Sequence, residues 1–186
     1  TSNTYSVPFA KIIDKRTSLT QAYKFKENTE LGIYIDIFIL DGVPTPSNEA
    51  SMHTQNIKSV LKKWYWANTG FHESNSMIKN LIRYVATFPY RLIGPRKYVD
   101  EFQKIAQKYP YENSDIVADY SGLDPFIKCS FSKECFGEGV LKEFENERFL
   151  VPVNYREVLS KSYGNFMKLP PEENRQSGHN FTVTWK

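Results

Sequence analysis

Gly32-Ile33-Tyr34-Ile35-Asp36-Ile37-Phe38-Ile39-Leu40-Asp41-Gly42 sets one carboxylate, Asp36, in the middle of a run that otherwise reads as a buried strand. An ionised carboxylate without a partner is too costly to bury, so Asp36 is expected to meet a cation, a metal ion or strong hydrogen-bond donors. On a strand, Ile35 and Ile37 project to the face opposite Asp36 and would anchor it there. Asp41-Gly42 reads as the turn that ends the strand, with Pro44 and Pro46 continuing the loop. Its place just past Asp36 also makes Asp41 a candidate site residue.

Around this run the pattern alternates between strand and helix. Tyr5 to Ile13 reads as a strand with an irregular start at Pro8, followed by a polar stretch rich in Lys and Thr. Met52, Ile57, Val60, Leu61 and Trp64 are spaced for an amphipathic helix from about Asn48 to Ala67. A second helix is predicted over Ser76 to Thr87, a break at Pro89 and Gly94-Pro95, and a third helix over Tyr98 to Tyr109. Phe144 to Val151 reads as a short hairpin, although Leu141 to Glu147 also suits a helix. A helix follows to about Tyr163 with Gly164 as its C-cap, Pro170-Pro171 stops further helix, and Phe181 to Trp185 alternates like a strand. No internal repeat or low-complexity segment is present, and the class expected is α+β with an inserted helical section.

The 186 residues suffice for one domain, or one domain with an excursion. A net charge of +3 is too weak to point to nucleic acid, but its distribution is uneven. Ten basic and three acidic residues lie between His53 and Tyr109, giving that stretch +7 and the remainder −4. Lys62-Lys63-Trp64-Tyr65-Trp66, with Arg91, Arg96 and Lys97, interleaves cations with large aromatics across a section at about 48–110. Such a surface suits peripheral contact with an anionic membrane, and a core-facing aromatic stripe under a solvated basic face is the commoner arrangement. Cys129 and Cys135 make neither a disulfide framework nor a zinc ligand set, which favours a reducing, cytoplasmic compartment. No stretch reaches the roughly 18 apolar residues of a membrane span.

Other residues carry chemistry in the abstract. Hard divalent cations want oxygens of the kind Asp36 offers, and phosphoryl transfer commonly uses several carboxylates to hold one or two metals. Lys11, between Ala10 and Ile12, suits a phosphate as a compact charge or snorkels to solvent. Arg175 and His179, four residues apart, suit binding or protonation of a phosphate oxygen, or else form a solvated tail.

Four stretches together resemble the LicD family of phosphocholine transferases, whose wider relatives include the fukutin-related ribitol-phosphate transferases. They are Val7-Pro8-Phe9-Ala10-Lys11-Ile12; Gly32 through Asp41-Gly42; Phe149 through Val151-Pro152 to Tyr155; and Tyr163-Gly164-Asn165-Phe166-Met167-Lys168-Leu169-Pro170-Pro171-Glu172-Glu173, ending at His179. The resemblance implies a partial nucleotidyltransferase-like fold, a small mixed sheet with flanking helices, in one LicD-like domain over residues 1–186. It implies transfer of phosphocholine from CDP-choline to a sugar hydroxyl of a glycopolymer, teichoic acid or lipopolysaccharide, or of a lipid-linked precursor, at the inner face of the membrane. It also implies a divalent metal, Mg2+ or Mn2+, held by an Asp-x-Asp pair and a third acid that Asp36 matches. By their own chemistry, rather than by the resemblance, Lys11, Asp41 and Arg175 are expected to contact substrate and His179 to orient or deprotonate the acceptor.

No Asp-x-Asp occurs in the sequence, and six residues precede Val7. Either the family's first third lies outside this chain or this homologue has lost the metal pair, and on both readings the chain alone is expected to be catalytically incomplete. Asn165 stands where the family usually has Asp, Phe166 where it has Tyr, and Ile39 where Pro is common. The Asn keeps a hydrogen-bonding group of similar size without the charge. Transfer of another polyol- or sugar-phosphate from a CDP donor, or a non-catalytic membrane-surface module, are the alternatives; nucleic acid is not an expected partner.

Overall fold

The structure, a computed structural model, describes residues 7–21, 32–70, 75–122, 126–175 and 181–186. Along the chain these form β1 (Ala10–Ile13), β2 (Thr17–Gln21), β3 (Tyr34–Ile37), β4 (Leu40–Gly42), α1 (Ser47–Asn68), α2 (Met77–Ala86), α3 (Phe88–Ile93) and α4 (Pro95–Ala106). There follow β5 (Ile116–Asp119), α5 (Phe126–Cys129), β6 (Ser130–Ser132), β7 (Val140–Phe144), β8 (Glu147–Val151), α6 (Tyr155–Tyr163) and β9 (Phe181–Trp185). The class is α+β, as the sequence pattern indicates.

By its own packing the chain forms two compact units, one of residues 1–38, 56–105 and 177–186, the other of residues 39–55 and 106–176. In place of one small mixed sheet, the described strands pair as four small antiparallel sheets. The first unit holds β1 against β3 and β2 against β9, with a core built on Ile57, Val60, Leu61, Tyr98, Val99 and Phe102. The second holds β4-β5-β6 and the β7–β8 hairpin, with Val117, Ala118, Tyr120, Phe131 and Cys135 buried.

The opening run is therefore not one strand. Residues 34–37 pair with β1 and residues 40–42 pair with β5, so the strand is interrupted at Phe38 and Ile39. Asp41-Gly42, expected as a turn, lies inside β4. Close approach explains why glycine stands at both ends of the run. A Cβ on Gly32 would lie 2.1 Å from the Asp14 carbonyl oxygen, and one on Gly42 would lie 2.1 Å from Ser114 Oγ and 2.6 Å from the Tyr109 carbonyl oxygen. The Gly42 N–H donates to that Tyr109 carbonyl at 2.9 Å, a bond only a residue without a side chain can reach here.

The helices follow the periodicity with two differences. α1 matches its expected span, and Ser76 caps α2, its Oγ accepting from the Lys79 N–H. The break expected near Pro89 is instead α3, because a proline in the first turn gives up an N–H that has no intrahelical partner. α4 begins at Pro95 rather than Tyr98 for the same reason. The hairpin expected over residues 144–151 is longer, running from Val140 to Val151 with Glu145 in the left-handed region at its turn, so the alternative of a helix over Leu141 to Glu147 does not hold; Gly164 caps α6 through its N–H to Ser160. The strands β2, β5 and β6 were not read from the sequence; β2 lay within the polar Lys/Thr stretch.

Candidate functional site

In the first unit β1 and β3 run antiparallel with Lys11 directly opposite Asp36. Alternation puts Lys11 and Ile13 of β1, with Tyr34 and Asp36 of β3, on one face of this two-stranded sheet. The Lys11 ammonium donates to Asp36 Oδ1 at 2.7 Å. Its side chain is 7% exposed against 29% for Asp36, so the cation is the more deeply buried partner. Nζ also lies 3.6 Å from the Tyr34 ring centroid and 5.0 Å from that of Phe9, and Phe9 packs on Phe38 with centroids 5.1 Å apart. The ion pair thus sits in an aromatic frame. Asp36 has the cationic partner its setting demands, and Lys11 turns inward rather than snorkelling.

The opposite face of this sheet differs from expectation. Ile12 and Ile35 face each other across the strands at 61% and 68% exposed, and Ile37 is exposed as well. The isoleucines do not anchor Asp36 in a core; the polar and aromatic face is the more covered one.

The second unit gathers titratable groups of its own. Asp41 on β4 is opposite Ala118, half-buried, and burial followed by the charge of Asp119 pushes its carboxyl above the ordinary range. Asp119 accepts from the Ser121 N–H at 2.8 Å and its hydroxyl at 2.6 Å. Burial, then Asp41 and Tyr109, drive the buried Tyr120 phenol far up. His53, on α1, is 5% exposed and lies edge-on to Tyr109 and Tyr120, with centroids 4.8 and 5.3 Å away. Its Nε2 is buried without a hydrogen-bond partner, and burial, then Lys108, hold its imidazole below the ordinary value against an opposing pull from Glu49. Glu49 itself accepts from the Tyr109 hydroxyl at 2.5 Å.

Of this second cluster, the sequence reading reached Asp41 alone. His53 and Glu49 sit on the predicted helix, and their four-residue spacing is the available signal; Asp119 ends a strand that the sequence pattern does not predict, and Tyr120 follows it.

Arg175 follows a short 3-10 helix, where its Nε donates to the Pro170 carbonyl at 2.8 Å and Nη1 approaches Glu172 at 3.9 Å. His179 lies outside the described residues. Asp36 and Asp41 belong to different compact units. Cys129 and Cys135 form no disulfide, and burial raises the Cys135 thiol pKa.

The described residues do not fit a divalent metal by themselves. Among them no group of three or more His, Cys, Asp or Glu side chains is placed to hold one, and an ammonium already balances the Asp36 carboxylate. The pair is net neutral, with one ammonium N–H donating to Asp36 and Nζ held over the Tyr34 ring.

No family model matches the chain, and no solved structure matches it. It is similar to the lipopolysaccharide cholinephosphotransferase LicD of Haemophilus influenzae, with 32% identity over 189 residues covering 94% of this chain. The chain spans 64% of that relative's length.

Proposed function

We propose, since this chain belongs to the LicD family, that it works in a transferase moving phosphocholine from CDP-choline to a sugar hydroxyl of lipopolysaccharide, teichoic acid or a lipid-linked precursor. The observation that carries this reading is the 32% identity to a lipopolysaccharide cholinephosphotransferase along 94% of the chain. In the reaction the acceptor oxygen attacks the phosphorus that bears choline, the bond from that phosphorus to the CMP oxygen breaks, and the hydroxyl proton passes to a base.

Asp36 and Lys11 are assigned to the donor as a pair. Asp36 fixes the ammonium, and in the proposed reaction the pair serves the donor diphosphate, where a positioned cation would stabilise the charge that develops. Asp41 and Arg175 are proposed substrate contacts, and His179 the group that orients or deprotonates the acceptor hydroxyl. Dependence on Mg2+ or Mn2+, which the family likeness implies, would rest on ligands beyond the described residues of this chain, since Asp36 is held by Lys11. A cytoplasmic location against the inner membrane face follows from the donor and acceptor. No helix among the described residues is long and apolar enough to cross a membrane.

The test uses the full-length protein with CDP-choline labelled in its methyl groups and a lipopolysaccharide acceptor, with and without chelator. Label transferred to the acceptor with stoichiometric CMP supports the reading. Transfer from CDP-ribitol or CDP-glycerol in preference to CDP-choline would move the assignment to another polyol phosphate.

A further inference from the structure

α2 is amphipathic the wrong way round for a helix that packs on a core. Its apolar side chains Met77, Ile78, Leu81, Ile82 and Val85 fall on one arc of the helix and are all exposed, Met77 and Ile78 at 71% and 73%. The residues buried on the helix and at its C-cap are polar ones, Asn80 and Thr87. α3 continues the surface with Phe88, Leu92 and Ile93, of which Leu92 is 71% exposed. An apolar area of this kind marks an interaction site.

The charge around it selects the partner. From Asn75 to Val99 the sequence carries five basic residues, Lys79, Arg83, Arg91, Arg96 and Lys97, and no acidic one. Lys79, Arg83, Arg96 and Lys97 are exposed, with Arg96 paired to Asp100 at 3.0 Å, while Arg91 turns back onto Thr87 Oγ1, at 2.7 Å, and the Tyr84 ring and carbonyl. A second copy docking here would bring like charges together.

We propose that α2 and α3 form an interfacial wedge that lies in the surface of an anionic bilayer, apolar arc among the acyl chains and basic residues at the headgroups. Helices of this composition bind in the plane of the interface, and their attachment combines apolar burial with attraction to anionic lipid. α2 and α3 lie within the basic aromatic section at about 48–110 that the sequence marks for this role; in its Lys62–Trp66 part Trp64 and Trp66 are half-buried, and Trp66 packs against Tyr90 with centroids 4.9 Å apart. The wedge stands independently of the transferase reading, because the test needs no substrate.

Binding is measured by sedimentation with vesicles containing phosphatidylglycerol and with vesicles of phosphatidylcholine alone. Wild type is expected to bind the anionic vesicles preferentially and to dissociate as salt rises. The double substitution Leu81→Asp/Ile82→Asp should weaken binding by at least about tenfold. Because both side chains are exposed, its circular dichroism should match wild type. In a second variant, Leu81→Trp, the blue shift on anionic vesicles and the quenching by brominated acyl chains should exceed those of wild type, which has three tryptophans of its own. Unchanged binding of the double variant, quenching of Leu81→Trp no greater than that of wild type, or a concentration-dependent oligomer without vesicle binding would each overturn the proposal.

Discussion

Lys11 and Asp36 are unequal partners, and the inequality fixes what their removal costs. Asp36→Ala leaves an ammonium at 7% exposure without its carboxylate, whereas Lys11→Met leaves a carboxylate at 29% exposure with partial access to water. Removing one side of a buried pair costs more the deeper the survivor lies. Asp36→Ala is therefore expected to destabilise by about 1–3 kcal/mol and Lys11→Met by less, read from urea unfolding. The reverse order would show that the ammonium reaches solvent. His53 gives a second expectation, on pH. Its folded-state pKa lies below the ordinary 6.5, so on acidification the unfolded chain takes up the proton first. Stability from this residue is then present above 6.5 and drains as pH falls through 6.5 toward the folded value. Asp41 acts oppositely: its raised pKa costs stability as pH rises above 3.8 toward its folded value. Comparing wild type with His53→Phe across pH 5 to 8 separates the two, and the variant should lose the acid-side decline.

At the scale of elements, the turn expected at Asp41-Gly42 became a strand because of its surroundings. Dipeptide chemistry favours a turn, but the Tyr109 and Pro110 carbonyls and Ser114 Oγ crowd the space where a Cβ on Gly42 would stand. Gly42→Ala should thus cost about 2 kcal/mol or more, through displacement of β4 from β5, and a fall in melting temperature checks it. A loss of only a few tenths would mean that the approach is loose. The same example shows how far pattern reading reaches. Period and capping gave α1, α2, the hairpin and α6, since those signals are local. Pairing across distance was not legible: nothing in Gly32–Gly42 tells that its halves join different partners, β1 and β5. β2 was hidden because its partner, β9, lies at the far end of the chain.

For the whole molecule, family likeness carried more than periodicity did. Asp36 was legible as a site candidate from an acid among isoleucines, yet its pairing with Lys11 depended on a register that spacing does not fix. Asp119, Tyr120 and His53 come together only after folding. The two compact units each carry a titratable cluster, one built on the Lys11–Asp36 pair and one on Asp41, Asp119 and His53. The reading that unites sequence and site is that Asp36 serves phosphocholine transfer. The most direct measurement is CMP release from CDP-choline by the full-length protein, wild type against Asp36→Asn, with equal folding confirmed by circular dichroism. The expected result is a loss of at least about 10- to 100-fold in turnover. Near wild-type turnover in Asp36→Asn, or no CMP release by the wild type in the presence of acceptor, would contradict it.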